Sequence, residues 1–444
     1  MKLNNKRTIL VGLAFMSICT FWQMYDSVIP LILTKTFKLN ETFSGAIMAA
    51  DNVLALFLLP IFGALSDRTN TRFGKRMPFI VGGTAAAVIL LNLISGIDNS
   101  YYAAPSTGKF VLFIVLLGLL LIAMGTYRSP AGALMPDLTP KPLRSKANAI
   151  INLMGAVGSM LSLAAAAIMY PNSKVQGLDH VNYEPLFIVV SIVMAVSVVL
   201  LMITVNEPKY AKENRDIEAQ HPEWNLAEDD GSGNEVLPPE VKRSLGFILA
   251  SIAFWYIGNN GITTWFTTYV DRVMGEGLGG ASTCILIAGA GAIVSYIPIG
   301  NLAHKIGRKK TIMIGVAVLA VCFFSGFILT SIYSSINAIM YVMFVLVGFA
   351  WAAINVNSLP MVVEMCKGSD TGKFTGYYYT ASMAAQVVTP ILAGFLMRNI
   401  SYRVLFPYAS LFVVFSFITM TQVKHGDVAP EAKRGLEAFE DMDD

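Results

Sequence analysis

Apolar runs decide what this chain can become. Twelve of them start near Ile9, Phe43, Pro78, Phe110, Ala147, Glu184, Leu245, Ser282, Thr311, Ile336, Phe374 and Tyr402. Each lasts about 20–27 residues, enough to cross a hydrocarbon layer roughly 30 Å thick with modest tilt. A water-soluble core does not absorb so much. Hydrophobic residues make up 55% of the chain and charged residues 14%, against about 45–50% and 25% in soluble domains. The pattern excludes a cytosolic enzyme, a disulfide-stapled scaffold and a disordered chain. It predicts an all-α protein of twelve transmembrane helices in a lipid bilayer.

The net charge of +3 is too small to point to nucleic acid. Four cysteines (Cys19, Cys284, Cys322, Cys366) lie far apart in apolar sequence, without C-x-x-C spacing. They read as small buried hydrophobes. The N-terminus has the basic start of a signal peptide, Met1–Arg7. The apolar stretch behind it is too long for a signal h-region of about 7–15 residues, so it reads as the first helix.

Positive charge is sorted along the chain. With the N-terminus inside, the inner segments hold 24 Lys and Arg, and the outer loops hold 7: Lys35, Lys38, Lys109, Lys174, Arg272, Arg398 and Arg403. Arg128 lies within a span. Such a bias predicts that both termini are cytoplasmic, in a cell (plasma or inner) membrane. The organisation expected is an N-terminal six-helix half (1–205), a cytoplasmic linker (206–243), a C-terminal six-helix half (244–423) and a cytoplasmic tail (424–444). Glu, Asp, Gly and Pro in the linker, including Glu228-Asp229-Asp230-Gly231, suit a solvated tether.

The halves repeat one another. Phe21-Trp22, with Asp26 four residues after the Trp, is matched by Phe254-Trp255 with Asn259 at the same offset. After helix 2 comes Gly63-Ala64-Leu65-Ser66-Asp67-Arg68 and then Arg72-Phe73-Gly74-Lys75-Arg76. After helix 8 comes Gly300-Asn301-Leu302-Ala303-His304-Lys305 and then Gly307-Arg308-Lys309-Lys310. Helix 4 ends in Leu134-Met135-Pro136-Asp137, and helix 10 in Leu359-Pro360-Met361-Val362-Val363-Glu364. Two parallel six-helix halves of this kind make a transporter architecture, with a site expected at their interface near the midplane.

The loop after helix 2, with its acid, glycine and basic cluster, resembles the loop motif of the major facilitator superfamily. The copy after helix 8 is a weaker version of it. Within that superfamily, Ser66 to Phe79 is similar to the loop of sucrose carriers and of glycoside–pentoside–hexuronide:cation symporters. So is Ser129-Pro130-Ala131-Gly132-Ala133-Leu134-Met135-Pro136-Asp137-Leu138, followed by Arg144-Ser145-Lys146-Ala147-Asn148. The resemblance covers all but the central loop and tail, and implies the major facilitator fold and sugar uptake driven by a cation gradient. It implies a conformational role for Gly63, Asp67, Arg68, Arg72, Gly74, Lys75, Arg76, Asp137, Arg144, Gly300, Gly307, Arg308 and Glu364. Asp67 is expected to meet helix dipoles or bases on a neighbouring helix when the cytoplasmic side is shut. The melibiose-type branch places cation-binding acids where this chain has Ala55, Leu59 and Arg128. An Arg there argues against a sodium site and favours H+ as the coupling ion. Some sucrose carriers have an Arg at the position of Gly132, on the same helix face as Arg128.

Three charges lie deep in spans: Asp26, Asp51 and Arg128. Each costs roughly 2.5–3.5 kcal/mol at a bilayer centre, so each should face the bundle interior, water or another charge. Counting about 1.5 Å per residue, Asp26 and Asp51 lie at similar depths and Arg128 deeper. These three are the proton-coupling candidates, although an ion pair that merely ties helices together would look the same. Sugar recognition needs polar groups for hydroxyls and aromatic faces for rings. Candidates are Trp22, Asn52, Tyr127, Asn152, Trp255, Asn259, Asn260, Thr264, Trp265, Tyr377, Tyr378 and Gln386, while Trp and Tyr also serve as interface anchors. Gly155, Gly158, Gly289 and Gly291 suit close helix packing. The sequence has no Walker motif, no His/Cys metal cluster and no nucleophile–base pairing. The expectation is therefore no enzyme, no cofactor or metal, and a monomer that moves a sugar, glycoside or disaccharide with a proton by rocker-switch alternating access. The alternatives are an exporter of drugs or metabolites, or a non-transporting sugar sensor.

Overall fold

A backbone in hydrocarbon must satisfy its own hydrogen bonds, and a long apolar run does so as a helix. The computed structural model describes residues 3–221, 238–365 and 371–427. Among them, twelve helices are long and apolar enough to cross a membrane. They are Asn5–Thr36, Glu41–Arg68, Met77–Ala103, Thr107–Asp137, Lys146–Met169, Glu184–Thr204, Pro239–Met274, Leu278–Ile306, Arg308–Ile332, Ala338–Val363, Lys373–Asn399 and Tyr402–Thr421, called spans 1 to 12. Side chains cap several starts: Asn4 accepts from Arg7 N, Ser106 from Lys109 N, and Asn337 from Ile339 N and Met340 N, each sparing an orphan donor.

Contacts divide the chain into two units. One takes Met1–Asn40, Ala50–His221 and Gly277–Ser282; the other takes Glu41–Ala49, Pro222–Glu276 and Thr283–Asp444. The division departs from a clean cut between two halves at two span tips. Gly279 N donates to Tyr170 O in the first unit, and the Tyr402 hydroxyl donates to Glu41 in the second.

The repeat read in the motifs recurs in the packing. In the first unit span 1 packs on spans 5 and 6, and span 3 on spans 4 and 6. In the second, span 7 packs on spans 11 and 12, and span 9 on spans 10 and 12. Spans 1 and 7 both finish in a π-helical turn, Ile32–Thr36 and Val270–Met274. Spans 2 and 8 are the least enclosed in their units. Close approach of span 5 to span 1 requires Gly158, where a Cβ would stand 2.2 Å from Met16 O.

The segment after span 6 departs from the expected plain tether. Glu207–Gln220 is a helix whose start is capped by Asn206 accepting from Lys209 N. It docks on the first unit: Arg7 pairs with Glu213 at 3.3 Å, Arg144 with Glu218 at 3.0 Å, and Asn214 donates to Asp137 O at 3.2 Å. Its polar sequence gave no hydrophobic period to read, and side-chain bonds hold it instead. The acidic Glu228–Gly231 stretch, Cys366 and the tail beyond Asp427 lie outside the described residues. Cys19 is half-buried, and Cys284 and Cys322 are buried; none of these three is in a disulfide.

Candidate substrate and coupling site

In the first unit, span 1 carries Trp22 and Asp26 one turn apart, span 2 carries Asp51 and Asn52, and span 4 carries Arg128. The structure brings them together. Asp26 lies within electrostatic reach of both Asp51 and Arg128, and Asp51 within reach of Arg128. The Arg128 guanidinium stands 5.7 Å from the centre of the Trp22 ring, a cation–π approach. Asn52 Nδ2 donates to Asp51 Oδ1 at 2.9 Å. Trp22 is held edge-on by Phe21 and Tyr25, with ring centres 5.1 and 5.4 Å away. Tyr25 is fully buried, and both acids interact with it electrostatically. The Tyr25 hydroxyl and Trp22 Nε1 are buried without a hydrogen-bond partner among the described residues.

Other candidates of this unit are enclosed. Tyr127 is fully buried and donates to Ala14 O at 3.2 Å, so it ties span 4 to span 1. Asn152 is 4% exposed.

The second unit holds a polar strip without formal charge. Asn259, Asn260 and Gln386 are half-buried, and Asn260 Nδ2 reaches Gln386 O at 3.5 Å. Thr264 is buried, and Tyr377 is exposed near the start of span 11. Three aromatic candidates have no free face here. Trp255 is fully enclosed, Trp265 is buried with Nε1 donating to Pro390 O at 3.1 Å, and the Tyr378 hydroxyl bonds Ser358 at 3.0 Å. Sequence reasoning passed over four residues here. Tyr256 stands edge-on to Trp351 at 5.6 Å, and Asn355 and Asn357 are buried amides of span 10. Amides in so apolar a helix were the signal that was there to read.

The loop motif forms a charge cluster. Arg76 pairs with Asp67 at 2.5 Å and with Asp137 at 2.8 Å, and bonds Ser66. Asp67 therefore meets a base of its own loop. Burial works against the Arg76 cation, yet the bonds and charges of Asp137 and Asp67 outweigh it and hold its pKa above the ordinary value. Arg144 pairs with Glu218, Arg72 lies over the Phe73 ring at 4.6 Å, and a Cβ on Gly63 would meet Ser129 Oγ at 2.9 Å. Arg68 is exposed at the end of span 2, and Gly300 has open space about it.

One carboxylate escaped the sequence reading. Glu207, 3% exposed, accepts from the backbone N–H groups of Lys75, Arg76 and Met77, and so caps span 3. Gly74, at φ +113°, leaves room for it. The second unit repeats the device: Arg308 pairs with Glu364 at 3.0 Å, Gly307 has φ +92°, and Asp427 accepts from Lys309 N at 2.9 Å. The described residues contain no group of three or more potential metal ligands.

The profile of the Major Facilitator Superfamily matches residues 11–324 and 279–440. Sucrose transport protein SUC3 of Arabidopsis thaliana is 30% identical over 145 residues, 30% of this chain and 24% of that protein. The match thus spans about a quarter of the length of that relative. Putative metabolite transport protein YwtG of Bacillus subtilis (strain 168) is 24% identical over 411 residues, covering 87% of this chain and 85% of that one. Among solved structures, a point mutant of nucleoside transporter NupG superposes with a TM-score of 0.67 at 12% identity, covering 95% of this chain and 100% of the other. The inward-open xylose transporter XylE of E. coli gives 0.64 at 16%, covering 93% and 94%. These last two likenesses are of fold.

Proposed function

The chain belongs to the Major Facilitator Superfamily, and from that premise we propose that it is a secondary active transporter coupling the uptake of a sugar or glycoside to a proton. Its twelve membrane-spanning helices and its transporter relatives give the coarse activity. The observation that supports the finer reading is the grouping of Asp26, Asp51 and Arg128 around Trp22.

Two acids facing one base is a proton-exchanging arrangement. With both carboxylates ionised the group carries one net negative charge, and with one protonated it is neutral. The second form suits an apolar interior better. A sugar supplies a hydroxyl to Trp22 Nε1, a donor that no protein acceptor takes up among the described residues. It also offers a ring face to Trp22, alongside the Arg128 guanidinium. Alternating access by rocking of the halves then carries proton and sugar together. The clusters at Arg76 and Arg308 steady one end state.

The test is alkalinisation of a lightly buffered suspension of expressing cells when a sugar is added. Symport predicts a rise in external pH with the transported sugar and none with others. Sugar uptake without proton movement contradicts the reading.

A further inference from the structure

Asp98, in the last turns of span 3, is a fourth charge buried in a span, 1% exposed. The Thr36 side chain, at the end of span 1, hydrogen-bonds its carboxylate. Its Oδ1 is buried without a partner among the described residues. On the other side of Thr36, 3.2 Å from its Oγ1, stands Nδ1 of His180, in the connection between spans 5 and 6. The ring's Nε2 is 3.0 Å from Asn99 Oδ1 and its face stacks on Tyr102, 4.3 Å between centres and 14° apart. Asn99 Nδ2 donates to Asn182 Oδ1, so Asn99 presents its carbonyl to His180. The neutral imidazole therefore carries its hydrogen on Nε2, leaving Nδ1 as an acceptor facing Thr36 Oγ1, whose single hydroxyl hydrogen goes either to Nδ1 or to Asp98.

We propose that His180, Thr36 and Asp98 form a proton-binding relay, leading from a half-exposed imidazole to a buried carboxylate. It is a site separate from Asp26 and Asp51. Thr36 is ten residues beyond Asp26 on span 1, roughly 15 Å along the helix. It lies at the end of the spans opposite the N-terminus, the side expected to be outer from the Lys and Arg bias.

The step balances. With the Thr36 hydroxyl turned to Asp98, His180 takes a proton from water at Nδ1, giving an imidazolium that donates from Nε2 to Asn99 Oδ1 and from Nδ1 to Thr36 Oγ1. The Nδ1 proton passes to Thr36 Oγ1 as the Thr36 hydroxyl proton passes to Asp98. The ring is left neutral, Thr36 keeps its hydroxyl, and Asp98 becomes a neutral acid. A cation and an anion have become two uncharged groups, which a poorly solvated setting favours.

The surroundings suit passage over storage. Burial first, and then Lys35, hold the His180 pKa below its ordinary value, so its cation gives the proton up. The facing charges are few: Lys35 on span 1, Glu184 at the start of span 6, which takes Asn99 Nδ2 at 3.3 Å, and Lys109 of span 4, which donates to Ser100 O and Ala104 O.

Infrared difference spectra after a pH jump, on the purified full chain in lipid nanodiscs without any sugar, test this independently of the transport reading. The expected result is a protonated-carboxyl band lost in D98N and kept in the double variant D26N/D51N. Its growth should slow about tenfold or more in T36V and in H180Q, and return to the wild-type rate in T36S. T36V and H180Q leave Asp98 in place, so they decide even where D98N does not fold. A band unaffected by D98N, or growth at the wild-type rate in T36V and H180Q, overturns the proposal.

Discussion

At Arg128 one guanidinium serves an aromatic face and two carboxylates. Removing it would leave Asp26 and Asp51 facing each other in an apolar bundle. Uncompensated buried charge costs about 3–5 kcal/mol, so R128A is expected to destabilise the protein as well as stop transport. Asp51→Asn is the cleaner substitution, because Arg128 keeps Asp26 as its counter-charge. D51N is expected to fold, to exchange sugar in counterflow, and to fail at concentrating it. Normal accumulation by D51N would remove Asp51 from the coupling role. His180 gives a pH prediction of definite sign. Its folded pKa lies below the ordinary value near 6.5, through burial and then Lys35. Its contribution to stability is therefore present above pH 6.5 and lost as pH falls through the depressed folded value. Protection factors of amides between spans 5 and 6, referred to intrinsic rates at each pH, should fall on acidification and lose that pH dependence in H180Q.

At the scale of elements, the loop clusters at Arg76 and Arg308 each carry a carboxylate cap. Glu207 is buried and serves three N–H groups of span 3, whereas Asp427 is exposed and bonds Lys309 N at the start of span 9. A cap of this kind is worth about 0.5–2 kcal/mol, with the helix dipole adding to it. E207A should lower the melting temperature measurably more than D427A, and should detach the Glu207–Gln220 helix from the loop it closes. Limited proteolysis after span 6 reads the second effect. Equal melting shifts would mean that the cap is not what Glu207 contributes.

At the scale of the whole molecule, the twelve spans were legible because apolar length alone makes a membrane helix. The repeat was legible because matched motifs recur at matched places, and each unit then packs in the same pattern. Asp98 was not legible. Near the end of a span a lone Asp reads as an interfacial charge, and only its neighbours bury it. Trp265 and Tyr378 illustrate the converse, since an aromatic at a helix end looks alike in sequence whether it faces ligand, lipid or core. The helix at 207–220 was hidden because capping and ion pairs hold it. The central claim, a proton-driven sugar carrier, is tested most directly by flux into proteoliposomes holding the purified chain, with a panel of labelled sugars under an imposed pH gradient. The account predicts that at least one sugar accumulates above its external concentration, and that collapsing the gradient with a protonophore abolishes this. Accumulation of that sugar unchanged by the protonophore, or no gradient-dependent flux across the panel, would contradict it.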